Sequence, residues 1–150
     1  MKNRSIFFGI IALVIVSMLA ACAASAAPAI AVESAWGRVS PTIAGAGAFY
    51  LMIKNTGSGE DKLTGVKSPA CGMAEVHETV KKADGTMGMN LVPEPVAIPA
   101  NGQVEFKSGG MHVMCMMMKA DQFKTGSKVD LVMTFEKSGE KTISVDIRDQ

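Results

Sequence analysis

The side chains best suited to chemistry in this sequence are thioethers and imidazoles, and they are crowded together. Of twelve methionines, eight fall between Met73 and Met118, and the only two histidines, His77 and His112, lie in the same interval. In His112-Val113-Met114 the imidazole and the thioether are two residues apart. Alternate side chains of a strand share a face, so His112, Met114, Met116 and Met118 are expected to point one way. Met87-Gly88-Met89 places two more thioethers on one face, and His77 sits on an earlier strand. Where such strands meet, uncharged sulfur and imidazole nitrogen converge. That mixture suits copper(I) and suits hard, oxygen-seeking ions badly. Zinc would ordinarily call for more His, Cys or carboxylate. A neutral donor set leaves the ion's single charge uncompensated, which places the site near the surface, where water screens it.

Packing is the competing use of methionine. Met52, Met73 and Met133, taken singly, read as core. Met117 is expected opposite His112 and therefore in the core as well, while Met116 and Met118 share the histidine face but run toward the interior. An enzyme is not indicated: His-Glu-x-x-His and the Gly-x-Ser-x-Gly elbow are absent, and His77-Glu78 alternates faces. A blue-copper electron carrier needs a cysteine thiolate with two histidines, in the familiar order with the cysteine ahead of the second histidine. Here Cys115 follows His112 and no histidine follows it.

The elements that would position these groups are short runs separated by turn residues. They are Ile30–Val39, Ala46–Lys54, Leu63–Val66, Met73–Val80, Met87–Val92, Val96–Ile98, Gln103–Lys107, Met111–Lys119, Val129–Glu136 and Lys141–Arg148. The last two form a hairpin across Lys137-Ser138-Gly139. Strands at this spacing predict an all-β sandwich or barrel, with room for a short helix only around Ala120–Gly126. Close to half of the residues are hydrophobic (48%), so one core can close without a metal staple.

Residues 1–22 read as an export signal: Lys2 and Arg4, an apolar run from Ile6 to Ala21, then small residues. Leu19-Ala20-Ala21-Cys22 resembles a lipobox, in which Cys22 becomes the first mature residue and carries lipid. The alternative is ordinary cleavage after Ala24-Ser25-Ala26. Residues 23–30 read as a short tether and 31–150 as the domain. Without Lys2 and Arg4 the chain has 15 − 2 = 13 basic against 14 acidic residues. The charges are interspersed, which argues against nucleic acid and against polybasic membrane docking, leaving a lipid anchor as the one membrane contact. With Cys22 set aside, Cys71 and Cys115 remain, and an oxidising compartment makes a disulfide between them the expected state.

The residues also resemble a known family, the periplasmic copper chaperones called PCuAC. Its pattern is a histidine, ten residues, a methionine, twenty-one residues, then His-x-Met. His77, Met89 and His112 with Met114 match in order. Ala35-Trp36-Gly37-Arg38 resembles the family's Trp-x-Arg strand, and Gly47-Ala48-Phe49-Tyr50 with Asn55-Thr56-Gly57 resembles its second strand and turn. His77-Glu78-Thr79, Ile98-Pro99-Ala100 and Gly109-Gly110-Met111-His112 follow in register. The resemblance implies a cupredoxin-like Greek-key sandwich, copper(I) held by His77, Met89, His112 and Met114, and a place in the periplasm or on the outer face of the cytoplasmic membrane. It further implies delivery toward the copper-site subunit of cytochrome c oxidase, alongside Sco-type proteins. Each spacing here is one residue longer than the pattern, with eleven and twenty-two intervening residues. Insertions in the Lys81–Asp84 turn and near Pro93–Pro95 would absorb this. Where the family often has a further methionine after the first histidine, Lys81 and Lys82 stand, and Met87 is a candidate substitute. Cys71 and Cys115 lie outside the family's ligand set. Val113 and Cys115 should face away from His112, which favours the disulfide over a Cys115 thiolate donor.

Overall fold

A computed structural model describes residues 26–149. The export signal and lipidation candidate Cys22 therefore lie outside the described residues, as do the first residues of the segment read as a tether. Ten strands make up the fold: β1 (Ile30–Val39), β2 (Gly47–Asn55), β3 (Asp61–Lys67), β4 (Met73–Lys81), β5 (Met87–Leu91), β6 (Val96–Ile98), β7 (Gly102–Phe106), β8 (Met111–Met116), β9 (Lys128–Phe135) and β10 (Gly139–Ile147). No helix forms among the described residues. The segment 120–126 instead closes one turn, in which the Gln122 and Phe123 N–H groups donate to the Lys119 carbonyl.

The strands join in the order β5-β4-β8-β2-β1-β10-β9-β3-β6, with β7 paired to the second half of β2. All pairings are antiparallel except β1 with β10. The sheet curls so that its two halves face one another across a shared core. Phe49, Leu51 and Ile53 of β2, Val76 of β4 and Val113 and Cys115 of β8 meet Leu63 of β3, Leu131, Met133 and Phe135 of β9, and Val145 and Ile147 of β10. Alternation sets this division, because each of these runs sends every second side chain inward.

Two polar side chains pin the ends of the strands. Asn55 is buried and saturated: its Oδ1 accepts from the Ala29 and Gly57 N–H groups, and its Nδ2 donates to the Gly59 and Pro99 carbonyls. Ala27 and Ala29 are thereby docked on the 55–59 loop, with Thr56 and Gly59 donating back to Ala29 and Ala27. The tether segment, 23–30, thus ends in residues already held by the domain. Asp61 accepts from the N–H groups of Lys62, Lys137 and Ser138, tying β3 to the β9–β10 turn. Burial pushes its pKa up, but these donors outweigh that and hold it below the usual carboxylate value.

Cys71 and Cys115 are joined by a disulfide, with Cα atoms 5.4 Å apart. Cys115 is fully buried and faces the core.

Candidate metal centre

The outward face of β4, β5 and β8 is fixed by register. His77 pairs directly with His112, Glu75 with Met114 and Met73 with Met116. On the other side of β4, Thr79 pairs with Met89 and His77 with Leu91. Directly opposed residues share a face. The imidazoles are therefore neighbours on one rung, with Met114 one rung to one side and Met89 one rung to the other. The ring centroids of His77 and His112 are 6.3 Å apart. Segments separated by 35 residues of chain have brought together the groups that the spacing singled out.

His112, Met114 and Met89 line one cavity of about 280 Å³. Gly109, which precedes β8, is part of the cavity wall and adds no side chain to it. Arg38, Tyr50 and Ser108 form further walls. The Arg38 guanidinium lies 5.7 Å from the Tyr50 ring centroid and donates to Ser108 Oγ at 3.5 Å. Trp36 covers Tyr50 from the other side, with ring centroids 4.5 Å apart.

His112 is only 4% exposed and Met114 5%, whereas Met89 is 47% exposed. The site thus has a fixed floor and a mobile-chained thioether at its rim. His112 Nδ1 lies 3.0 Å from the Gly110 carbonyl. A carbonyl only accepts, so Nδ1 carries the proton and Nε2 carries the lone pair. No buried side-chain nitrogen or oxygen among the described residues lacks a partner. Nε2 makes no hydrogen bond, so it must reach open space. His77 Nε2 sits 3.3 Å from Glu75 Oε2, an arrangement that orients the ring and leaves Nδ1 as the donor to a metal. Burial pushes the His112 pKa down; the Gly110 bond opposes this, and the charges of His77 and Arg38 add to it. The imidazole is therefore neutral at pH 7, as a ligand must be.

Among the described residues, no group of three or more His, Cys, Asp or Glu side chains is arranged to hold a metal. His112, Met114 and Met89 share the cavity wall, while His77 lies outside that lining, opposite His112 on the neighbouring strand with its ring centroid 6.3 Å away. Cys115, bonded and core-facing, offers no thiolate there.

Met87 is placed elsewhere. It pairs with Lys81, is 61% exposed, and lies one rung beyond Met89 and outside the cavity. Three of the methionine expectations need revision. Met133 is in the core, but Met73 is 42% exposed and Met52 is half-buried. Met73 shares the face of His77, four residues on, so strand parity alone carries it outward. Met117 is 64% exposed, because β8 stops at Met116 and Met117 turns out with φ +49°. Glu75 has no place in the sequence reading, and Arg38 and Tyr50 enter it only as strand motifs, without a role at the site. Glu75-x-His77 was the available signal for the first, and the pairing of Trp36 with Tyr50 carries the others.

Comparison with known proteins gives a consistent picture. Residues 30–147 match the LpqE-like family model, "Putative lipoprotein LpqE-like". The chain is 31% identical over 123 residues to "Putative lipoprotein Lxx21020" of Leifsonia xyli subsp. xyli, covering 82% of this chain and 72% of that protein. Among solved structures it resembles the apo PCuAC domain from PmoF1, with a TM-score of 0.66 and 27% identity over 81% of this chain and 94% of that one. It also shares its fold with the CuI form of DR1885 from Deinococcus radiodurans, with a TM-score of 0.62 and 24% identity over 85% and 83% of the two chains. The cupredoxin-like all-β architecture expected from the sequence is the one these structures share.

Proposed function

The chain belongs to the LpqE-like family of PCuAC-type copper chaperones, and from that membership we propose that it binds copper(I) through His77, Met89, His112 and Met114 and passes it on. The observation that carries this reading is the rung on which His77 and His112 face each other, flanked by Met114 on the cavity floor and Met89 at its rim. A structural neighbour that binds CuI in the same fold supports the choice of ion.

Transfer follows from the ligand set and involves no covalent step. His112 and Met114 hold the ion from a buried floor, while Met89 closes over it from an exposed edge strand. Swinging Met89 aside opens one coordination position to an acceptor's sulfur or imidazole. The ion then passes through a shared-ligand intermediate. The neutral thioethers add no charge to hold it back, and two oriented imidazoles confer selectivity over hard cations.

The acceptor we propose is the copper-site subunit of cytochrome c oxidase, directly or through a Sco-type protein. The protein would act outside the cytoplasm, in the periplasm or at the outer face of the membrane, lipid-anchored at Cys22. The lipoprotein name carried by the family and by the Leifsonia relative supports that placement. Sequestration with the same site is the alternative, and transfer kinetics separate the two. A competition titration with a copper(I) chelator, followed by mixing with an oxidase copper-site fragment, tests the proposal. Delivery predicts tight binding and transfer within minutes. Binding without transfer favours sequestration, and no competition at all removes the copper(I) reading.

A further inference from the structure

A second sulfur cluster lies at the far end of the β4–β8 ladder, outside the cavity described above. Cys71-Gly72-Met73 runs beside Cys115-Met116-Met117. The disulfide joins the first members of the two segments. The Gly72 N–H points at the carbonyls of Met116 and Met117, at 3.0 and 3.1 Å, and Met73 pairs directly with Met116. A side chain at position 72 is excluded by Met117, whose Cβ and Cε would lie 2.9 and 3.1 Å from the Cβ of any larger residue. The Met117 thioether is therefore folded back over Gly72, next to Met73.

Packing does not explain this arrangement. Met73 is 42% and Met117 64% exposed, although both are apolar. Met117 also takes a left-handed backbone conformation, φ +49°, that a non-glycine residue rarely adopts. By contrast, its neighbour Met118 turns in against the core. The disulfide, the glycine and the left-handed turn together hold three thioethers at one exposed corner.

We propose that Met73, Met116 and Met117 form a second, more exposed site for a soft monovalent cation, copper(I) or silver(I). Opposed Cβ atoms on paired strands lie about 5 Å apart, and each thioether moves on three rotatable bonds, so the sulfurs can close on one ion. Neutral sulfur donors without nitrogen or oxygen restrict the site to soft cations. Met116 is four residues beyond His112 on the same face, about 13 Å along the strand. Two unit charges that far apart on a wetted surface barely repel, so both sites can be occupied in the same molecule. Since Met73 and Met116 share the outward face with His77 and His112, and Met117 lies beside them over Gly72, the trio is placed to take up an ion and hand it along the ladder.

The test is a silver(I) titration of the protein carrying carbon-13 methyl-labelled methionine, followed by NMR. The expected result is saturation at two equivalents, with the Met73, Met116 and Met117 methyls shifting in one step and those of Met89 and Met114 in the other. The Met73→Leu/Met117→Leu variant, altered only at exposed positions, should saturate at one equivalent with the Met89 and Met114 shifts intact. Met116→Leu should do the same. Saturation of the wild type at one equivalent with unmoved Met73 and Met117 methyls would overturn the inference, as would a double variant that still takes two. Loss of the Met89 and Met114 step alone would instead count against the proposed histidine–methionine site and leave this one standing.

Discussion

Acidification should release the copper, and the structure sets the size of the effect. A bound ion and a proton compete for the same imidazole lone pair. A histidine titrating at the reference value of about 6.5 loses roughly 30-fold in metal affinity between pH 7.5 and pH 5.0, and two independent ones lose about a thousandfold. His112 should contribute less than its full share, because burial lowers its pKa and postpones proton competition. The total loss should therefore exceed about 30-fold and stay below about a thousandfold. Apo stability moves in the same direction. A histidine whose folded pKa is lowered lets the unfolded chain take up its proton first, so stability falls as pH drops below the unfolded value of about 6.5. Chelator competition at several pH values, corrected for the chelator's own protonation, measures the affinity. His112→Gln should flatten the profile by one proton. A wild-type affinity unchanged from pH 7.5 to 5.0 would refute imidazole ligation.

Other perturbations reach different parts of the account. Reducing the disulfide, or replacing Cys71 and Cys115 by serine, opens a loop of 44 residues; denaturant unfolding should show a loss of about 4 kcal/mol. Asp61→Ala strips three N–H groups of their acceptor and should cost about 3 kcal/mol by the same measurement. Because the Asp61 pKa is lowered on folding, its contribution is present above the unfolded value of about 3.9 and vanishes as pH falls through the folded one. The Asp61→Asn protein should consequently lose less stability than wild type on acidification in that range. Arg38 makes no ion pair among the described residues and lines the metal cavity. Arg38→Gln should raise copper(I) affinity about two- to fivefold at low salt, with the gain fading as salt is added. A fall in affinity would show that Arg38 positions the site.

Much of the fold was legible because two signals agreed along the chain. Period-2 alternation and the turn residues between runs placed every strand, and β6 coincides with its expected bounds. Parity also put Val113 and Cys115 on the core side and His112 with Met114 on the other, as found. The failures have more than one cause, the first being that a methionine reads as core whenever hydrophobicity is weighed without parity. Met73 went wrong that way. Met117 went wrong for a different reason, since the strand ends at Met116, three residues short of the expected Lys119, and Met117 takes a left-handed backbone conformation and is exposed. The bulge in β1, where register shifts between Glu33 and Trp36 and Ser34 has φ +54°, left no clear mark in the sequence. Nor could spacing reveal that His77 and His112 share a rung, because register between distant strands is settled by the whole sheet.

The claim on which the rest depends is that one ion is held jointly by imidazole and thioether across β4, β5 and β8. X-ray absorption at the copper edge, on protein loaded with one equivalent of copper(I) at neutral pH, tests it directly. The account predicts both nitrogen scattering with the outer-shell pattern of imidazole and sulfur scattering, the imidazole part halved in His77→Ala and the sulfur part halved in Met114→Leu. A first shell made of sulfur alone, or of nitrogen and oxygen with no sulfur, would contradict it.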